Sequence, residues 1–564
     1  MPTKMTSLTK KTWNIKNGED SLNDFHELSE ILLQNRNIKD IDSFLNAAIK
    51  RFMPDPFHFI DMEKAVKRIV QAIRSKEKIT ILGDYDVDGV SSTAIFIIFL
   101  QHLNMEYEFV IPSRFDDGYG LSIKNIEKYK DSLIIAVDCG SSSIEELQYA
   151  KENDVDIIVI DHHKMNCIPE AVAIVNPHRP DESGEYLYLC ATAMVFMCIT
   201  GLNRELRQSG HYKENYLKEP ELLDYLDLVA LATVCDVMDL IDLNRAFVMT
   251  GLKVMQKRKN LGIDALISIG KITNATSDSI AFFLGPRINA AGRLATADTS
   301  VQLLTTKNPI EARKIALYLD GLNRERQSVE SQIADEATQR VDESLNFVCL
   351  YDRGWHQGVI GIVAGRLKEK YNKPTFIVSI NETGIGKASC RSIEGVDIVV
   401  IIKKAAEKGI LISGGGHAMA AGFSIEEAKL EEFVQFLKEE ITQPTPVKEL
   451  YADCFLPAEL ASIETARHIS KLEPFGTGNI HPKFVLTNVR IMSHKVVGKN
   501  HLQISLKSET GRALNTISFK SYGTPLGDII MNYEENVSIL GTLSISEWKG
   551  REYLSFYLED IAAA

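Results

Sequence analysis

The sequence predicts an α/β protein of several domains: a parallel-sheet domain, a second α/β domain joined to it by a long helix, and a C-terminal β-barrel of the OB type. Three observations carry this. The chain has 564 residues, and one hydrophobic core rarely grows past about 250–300. From Ile79 onward, short apolar runs alternate with helical segments, the pattern of a parallel sheet with right-handed crossovers. After residue 447 come short alternating strands over roughly a hundred residues, a length that suits a small closed barrel.

Taken in order, residues 1–75 read as a polar, helical lead-in with no recognisable chemistry. Residues 76–285 form the first α/β domain. Its strands are Ile79–Leu82, Leu133–Val137 and Asp156–Ile160, with helices such as Val90–Leu103 and Ser143–Glu152 between them, and it turns mostly helical from about 185. Residues 286–345 connect. From Pro309 to Val341 the only Gly or Pro residues are Pro309 and Gly321, and Ala, Leu, Glu, Gln and Arg dominate, which favours one long helix. A second α/β unit spans 346–442, and Gln443-Pro-Thr-Pro446 reads as a linker. The barrel follows over 447–564, with strands including Phe484–Ser493, His501–Leu506 and Tyr553–Leu558.

Composition narrows the class. Hydrophobic residues make up 45% and charged residues 25%, as in ordinary globular proteins. The net charge of −13 alone argues against a nucleic-acid binder. Metal-binding carboxylates inflate that count, however, and bound cations reverse the field locally. None of the eight cysteines forms a C-x-x-C pair, so a zinc site of that type is not expected, and free thiols suit a reducing cytosol. No apolar segment follows the N-terminal lysines, and the longest apolar stretch, around Ala94–Leu100, is too short to span a bilayer. A cytoplasmic protein without membrane contact is expected.

Four polar clusters stand where the apolar segments end. The first, Gly83-Asp-Tyr-Asp-Val-Asp-Gly89, sets three carboxylates on alternate residues, which suits hard divalent ions. An acidic turn after a strand is the plain alternative. An EF-hand loop is another, but its twelfth position, counted from Asp84, is Ile95 rather than Glu. The second is Asp138, in Val137-Asp-Cys-Gly140; a helix N-cap would also account for it. The third is Asp161-His-His163. Adjacent histidines at a strand end are expected to point apart, one toward a metal and one toward substrate, unless they are merely structural. Adding imidazole shifts preference from Mg²⁺ toward Mn²⁺. The fourth is Asp236, after the run Leu226–Val234, with Asp227 and Asp239 as rivals. Occurring together, the four supply what a two-metal phosphoesterase site needs.

The ordered motifs around Asp84, Asp138, Asp161 and Asp236 resemble those of the DHH phosphoesterases, and Gly414-Gly-Gly-His-Ala-Met-Ala-Ala-Gly-Phe423 resembles the signature of the DHH-associated domain. Gly285-Pro-Arg-Ile-Asn-Ala-Ala-Gly-Arg-Leu294, Trp355–Arg366, Arg391-Ser-Ile-Glu-Gly395 and Leu472–Asn479 are similar to the RecJ family within that group. The resemblance implies a metal-dependent 5′→3′ exonuclease for single-stranded DNA, releasing mononucleotides in repair and recombination. Two Mn²⁺ or Mg²⁺ ions would be held by Asp84, Asp86, Asp138, His162 and Asp236, with Asp138 bridging. Asp88, His163 and His417 would be catalytic side chains around them, and Asp161 would help orient the shell. Arg114, Arg287, Arg293, Ser389, Arg391 and Gly414, Gly415, Gly416 and His417 would bind substrate, with Arg293, Ser389, Arg391 and Arg114 forming a terminal-phosphate pocket. The chain departs from the family at Lys387-Ala-Ser-Cys390, where relatives carry glycines. A single-strand-binding protein and a helicase are the expected protein partners. Other DHH enzymes, such as oligoribonucleases or cyclic-dinucleotide phosphodiesterases, match only the first two domains. A non-catalytic replication-fork scaffold would have lost metal ligands that are all present here.

Overall fold

The computed structural model describes residues 2–17, 25–113, 120–444, 446–548 and 551–564. They fall into two compact units, Ile49–Thr445 and a second built from Met1–Ala48 with Pro446–Ala564.

The larger unit opens on a five-stranded, all-parallel sheet. Its strands are β1 (Ile79–Gly83), β2 (Tyr107–Val110), β3 (Leu133–Val137), β4 (Ile157–Ile160) and β5 (Ala173–Val175), in the order β2-β1-β3-β4-β5. β1, β3 and β4 are buried along their whole length. Ile79, Ile81, Leu133, Ile135 and Val137 face one core, and Leu82, Ile134 and Ala136 face another. Both faces are covered, so these strands read as continuous apolar runs rather than alternating ones. Each fully buried aliphatic side chain contributes about 1.5–3 kcal/mol. The edge strands β2 and β5 are additions to the three strands legible in sequence. β2 is half-buried and carries Glu108, and β5 has only three residues, so neither shows a sustained apolar run.

The chain leaves β1 to one side and returns to β3 on the other. The gap between their carboxyl ends is therefore a topological switch point, where open α/β sheets place their ligands. Around it pack α1 (Val87–His102), α2 (Ala191–Gln208), α3 (Leu226–Cys235) and α4 (Gly285–Leu294). A long helix, α5 (Pro309–Gln339), capped by the Asn308 side chain, runs on to the second sheet. That sheet contains β6 (Val348–Asp352), β7 (Thr375–Ile380), β8 (Ile385–Arg391), β9 (Ser413–His417) and β10 (Ala420–Glu426), ordered β9-β10-β8-β7-β6, with α6 (Ile360–Tyr371) between β6 and β7. Arg326 and Glu330 of α5, both buried, pair at 2.6 Å, and Glu330 also accepts Arg366 of α6 at 2.7 Å.

In the smaller unit, β11 (Glu449–Phe455) precedes β12 (Phe484–Val497), β13 (His501–Ser508), β14 (Ala513–Ser518), β15 (Val537–Trp548) and β16 (Arg551–Ala563). The order β12-β13-β14-β16-β15, with β15 pairing back to β12, closes a five-stranded barrel. The N-terminal residues correct the expected helical lead-in. Thr3–Thr6 and Thr12–Asn17 are strands, and the second lies parallel to β11, with Thr12 opposite Glu449. Trp13 and Ile15 are fully buried there, and the Trp13 indole donates to Asp560 Oδ2 at 2.9 Å. Alternation of Trp13 and Ile15 with polar neighbours is a two-residue period, which the polar composition around it obscured. No helix among the described residues is long and apolar enough to cross a membrane.

Candidate functional site

Each acidic motif lands at the carboxyl end of a strand or helix of the first sheet. β1 delivers Asp84 and Asp86. Asp86 caps α1, accepting the backbone N–H of Asp88 at 2.8 Å and of Gly89 at 3.2 Å. A Cβ on Gly89 would sit 2.4 Å from the Asp84 carbonyl oxygen, so only glycine lets α1 start this close to the carboxylate loop. β3 delivers Asp138, in the left-handed region at φ 60, a conformation that Asp tolerates better than most residues. α3 ends at Asp236.

β4 delivers Asp161, His162 and His163. Asp161 Oδ1 accepts the backbone N–H of His162 (2.7 Å) and His163 (3.1 Å) and meets His163 Nδ1 at 2.8 Å, while Oδ2 accepts the Ser141 N–H at 3.1 Å. Asn176, just past β5, ties this turn down by donating to Ser141 Oγ at 2.7 Å and the His163 carbonyl at 2.9 Å. This curled strand end corrects the expectation that the two histidines diverge. Their rings lie 4.8 Å apart, and both reach Asp138 Oδ1, His162 Nε2 at 3.5 Å and His163 Nδ1 at 3.8 Å.

His162 Nε2 also lies 3.5 Å from Asp236 Oδ2 and 3.6 Å from Asp88 Oδ2. Three groups of side chains could each hold a cation: Asp84, Asp86 and Asp138; Asp138, His162 and His163; and Asp88, His162 and Asp236. Asp138 belongs to two of them, as a shared ligand must. Asp88 is held from behind. Its carboxylate accepts the N–H groups of Ala191 and Thr192 at 2.8 Å and the Thr192 hydroxyl at 2.5 Å, at the N-terminus of α2, where the helix dipole favours an anion.

The electrostatics fit cations. Burial and then the neighbouring carboxylates of Asp88, Asp86, Asp84 and Asp161 push the Asp138 carboxyl well above its usual range. Burial and Asp88 raise Asp86. Burial, Asp88 and Asp86 push Asp236 up to about 8. Crowded buried carboxylates resist ionisation together, and two divalent ions would relieve that repulsion. Hard oxygen ligands with one or two imidazoles suit Mn²⁺ or Mg²⁺. For His163, burial disfavours the imidazolium, but the Asp161 hydrogen bond and the fields of Asp161, Asp236 and Asp88 win and raise it to about 9.

The substrate-side residues divide. Arg293, on α4, donates to the Gly358 carbonyl at 3.2 Å, and a Cβ on Gly358 would lie 2.1 Å from the Arg293 carbonyl. Thus the end of α4 abuts the loop before α6. Arg391 donates to Ser389 Oγ at 3.3 Å and to the Cys390 carbonyl at 2.8 Å. A Cβ on Gly361, in the first turn of α6, would meet Ser389 Oγ at 2.9 Å. Gly361 thus packs close to the Ser389 and Arg391 side chains. Arg287 is a correction to the expected substrate set. It forms an ion pair with Asp320 of α5 at 2.9 Å and lies 3.3 Å over the Phe283 ring, so its guanidinium is committed to helix packing. The glycine run is no loop: Gly414–Gly416 and His417 form the edge strand β9, exposed throughout and paired with β10. Arg114 lies outside the described residues.

Sequence reasoning missed the roles of Ala191, Thr192, Ser141 and Asn176. Only Asn176, polar at a strand end, carried a signal. Asp227 is buried in α3 and none of the cation-binding groups includes it or Asp239.

Comparison with known proteins matches residues 78–233 to the DHH family N-terminal domain, 344–443 to the DHHA1 domain and 452–560 to the RecJ OB domain. The single-stranded-DNA-specific exonuclease RecJ of Haemophilus influenzae is 31% identical over 93% of this chain and 94% of its own length. That of Escherichia coli is 32% identical over 89% and 90%. That of Bacillus subtilis is 33% identical over 90% of this chain, which spans only 64% of that longer protein. The crystal structure of Thermus thermophilus RecJ with Mn²⁺ superposes with a TM-score of 0.79 at 26% identity, covering 97% of this chain and 79% of the other.

Proposed function

Because the chain belongs to the RecJ family of DHH phosphoesterases, we propose that it degrades single-stranded DNA from the 5′ end, hydrolysing phosphodiester bonds to release mononucleotides. One observation carries the reading: Asp84, Asp86, Asp138, His162 and Asp236, spread over more than 150 residues of sequence, meet in three overlapping cation-binding groups that share Asp138 and His162.

Asp84, Asp86, Asp138, His162 and Asp236 would hold two divalent ions, which would supply Lewis acidity and a nucleophilic water for attack on the scissile phosphate. The protein's own residues do the rest. Asp161 fixes the rings of His162 and His163 through its backbone and side-chain hydrogen bonds. His163, oriented by that carboxylate, can approach a phosphate oxygen as charge develops on it. Asp88 is locked by α2 and positions the group around His162. Arg293, Ser389 and Arg391 offer a guanidinium-lined site beside the N-terminus of α6. A terminal monoester carries more charge than an internal diester, so such a site favours a 5′-phosphate end. The exposed glycine edge of β9 lets a sugar–phosphate backbone come close, with His417 beside it. In the barrel, Phe519 meets His501 and Tyr557 edge-on at 5.4 and 5.2 Å, and Arg490, His494, Lys495 and Lys499 are exposed on the β12–β13 hairpin. That pairing of aromatic and basic side chains suits single strands. Repair and recombination in the cytoplasm, alongside a single-strand-binding protein and a helicase that present such strands, complete the reading.

The test is hydrolysis of end-labelled single- and double-stranded DNA with Mn²⁺, Mg²⁺ or chelator. Single strands should be shortened from the 5′ end only when metal is supplied. Asp138→Ala, which removes the shared ligand, should lose at least about a thousandfold in rate while keeping its fold. Wild-type rates in that variant would end the two-metal reading.

A further inference from the structure

Asp227 is a carboxylate that the ion-binding centre does not use. It is 3% exposed, in the first turn of α3. It accepts hydrogen bonds from the backbone N–H groups of its own residue and of Leu228, the latter at 2.7 Å. No cation pairs with it among the described residues, and burial raises its carboxyl to about 7. A buried acid without a countercharge points to function where it lines a cleft. Asp227 does line one: a cavity of about 350 Å³, which it shares with Gln101 of α1, and small-molecule sites occupy about 300–1,000 Å³. The Gln101 amide nitrogen donates to the Tyr107 hydroxyl at 2.9 Å, whereas its Oε1 is buried with no hydrogen-bond partner. Two buried acceptors short of donors thus line one cavity, and such groups ordinarily find partners. Leu228 and Leu304 supply apolar wall, Lys259 is paired with Asp224 at 2.7 Å, and Lys307 is an exposed cation at the rim. The cavity stands apart from the ion-binding centre. α1 begins at that centre and α3 ends there, and the two helices pack together. Gln101 lies thirteen residues after Asp88 and Asp227 nine before Asp236, a separation of roughly 13–20 Å at about 1.5 Å per residue.

We infer that this cavity binds a guanine nucleotide. Guanine carries two parallel donors on one edge, N1–H and the 2-amino group, and a carboxylate offers the two parallel acceptors that match them. The second hydrogen of the 2-amino group is left for Gln101 Oε1. Adenine and cytosine set one amino donor beside a ring acceptor, and uracil sets one N–H between two carbonyls, so each turns a lone pair toward the carboxylate and is disfavoured. The flat ring packs on the leucines, and the phosphate reaches Lys307. Binding here does not depend on the nuclease reading, because the cavity shares no side chain with the ion-binding centre.

Calorimetric titration of the full-length, metal-supplied protein with guanosine, adenosine, cytidine and uridine 5′-monophosphates tests the assignment. The wild type should bind the guanine nucleotide at least about tenfold more tightly than the other three. Asp227→Asn should lose that preference and favour xanthosine 5′-monophosphate, whose N1–H and 2-oxo group match the oxygen and nitrogen of the amide. Gln101→Leu should weaken guanine binding by about threefold to tenfold. Lys307→Ala should weaken guanosine 5′-monophosphate by about threefold and leave guanosine unchanged. Absence of binding, equal affinity for the four nucleotides, or a guanine preference that survives Asp227→Asn overturns the assignment.

Discussion

Arg391 donates to Ser389 Oγ and to the Cys390 carbonyl at the second sheet. If it reads the strand end as proposed, Arg391→Ala should reduce the preference for a 5′-phosphorylated strand over a 5′-hydroxyl one by about tenfold or more, with a smaller effect on the hydroxyl strand, in single-turnover assays. Unchanged preference would move the end-reading pocket elsewhere. A second expectation concerns Asp227. Burial raises its carboxyl to about 7. With the folded value above the unfolded one, the folded state binds the extra proton, so stability falls as pH rises from about 4 through 7 and then levels off. Asp227→Asn should flatten that dependence and stabilise the protein at pH 8 by up to about 4 kcal/mol, read from chemical denaturation at several pH values. At this scale the carboxylates that gather into the candidate cation-binding groups were legible because four acidic clusters close successive apolar segments. Arg287 was misassigned because a motif position does not reveal Asp320, thirty-three residues on, waiting to pair with it.

Helix α5 carries the link between the two sheets, and its buried Glu330 serves two arginines, Arg326 and Arg366. Glu330→Ala leaves Arg326 buried without its carboxylate, a loss of about 3–5 kcal/mol. The variant should unfold at clearly lower denaturant concentration, and Glu330→Gln should fall between. An unshifted midpoint would mean that water reaches Arg326. The helix itself was plain from its composition, since few breakers interrupt it. Strands with one exposed face or only three residues, β2 and β5, were not, because a short half-polar run looks the same in a loop. The glycine strand β9 escaped for a different reason. Its residues have no strand propensity, and only pairing with β10 imposes the conformation.

At the scale of the molecule, the chain divides into a unit bearing all the ion-binding side chains and a unit built around the barrel. Removing both Met1–Ala48 and Pro446–Ala564 should therefore cost far more activity on long single strands than on very short ones, which need only the catalytic cleft. Binding to long strands by the full chain should also weaken steeply with salt. Equal loss on short and long strands would make the barrel unit a brace rather than a grip. Domain order along the chain was legible from the switch in periodicity. That the first strands belong with the last domain was not, because pairing between distant segments leaves no local trace.

That pairing sets a timetable for synthesis. Thr12 waits for Glu449, and Trp13 for Asp560, so a ribosome must deliver nearly the whole chain before the N-terminal strand finds its place. The central unit can fold while translation continues; the barrel unit cannot be completed until the end. A nascent chain stalled before residue 446 would thus carry the assembled candidate ion-binding centre and an N-terminal strand pair with one edge still uncovered, a natural target for chaperones or quality-control proteases. Only a chain synthesised through Asp560 gives the Trp13 indole its acceptor.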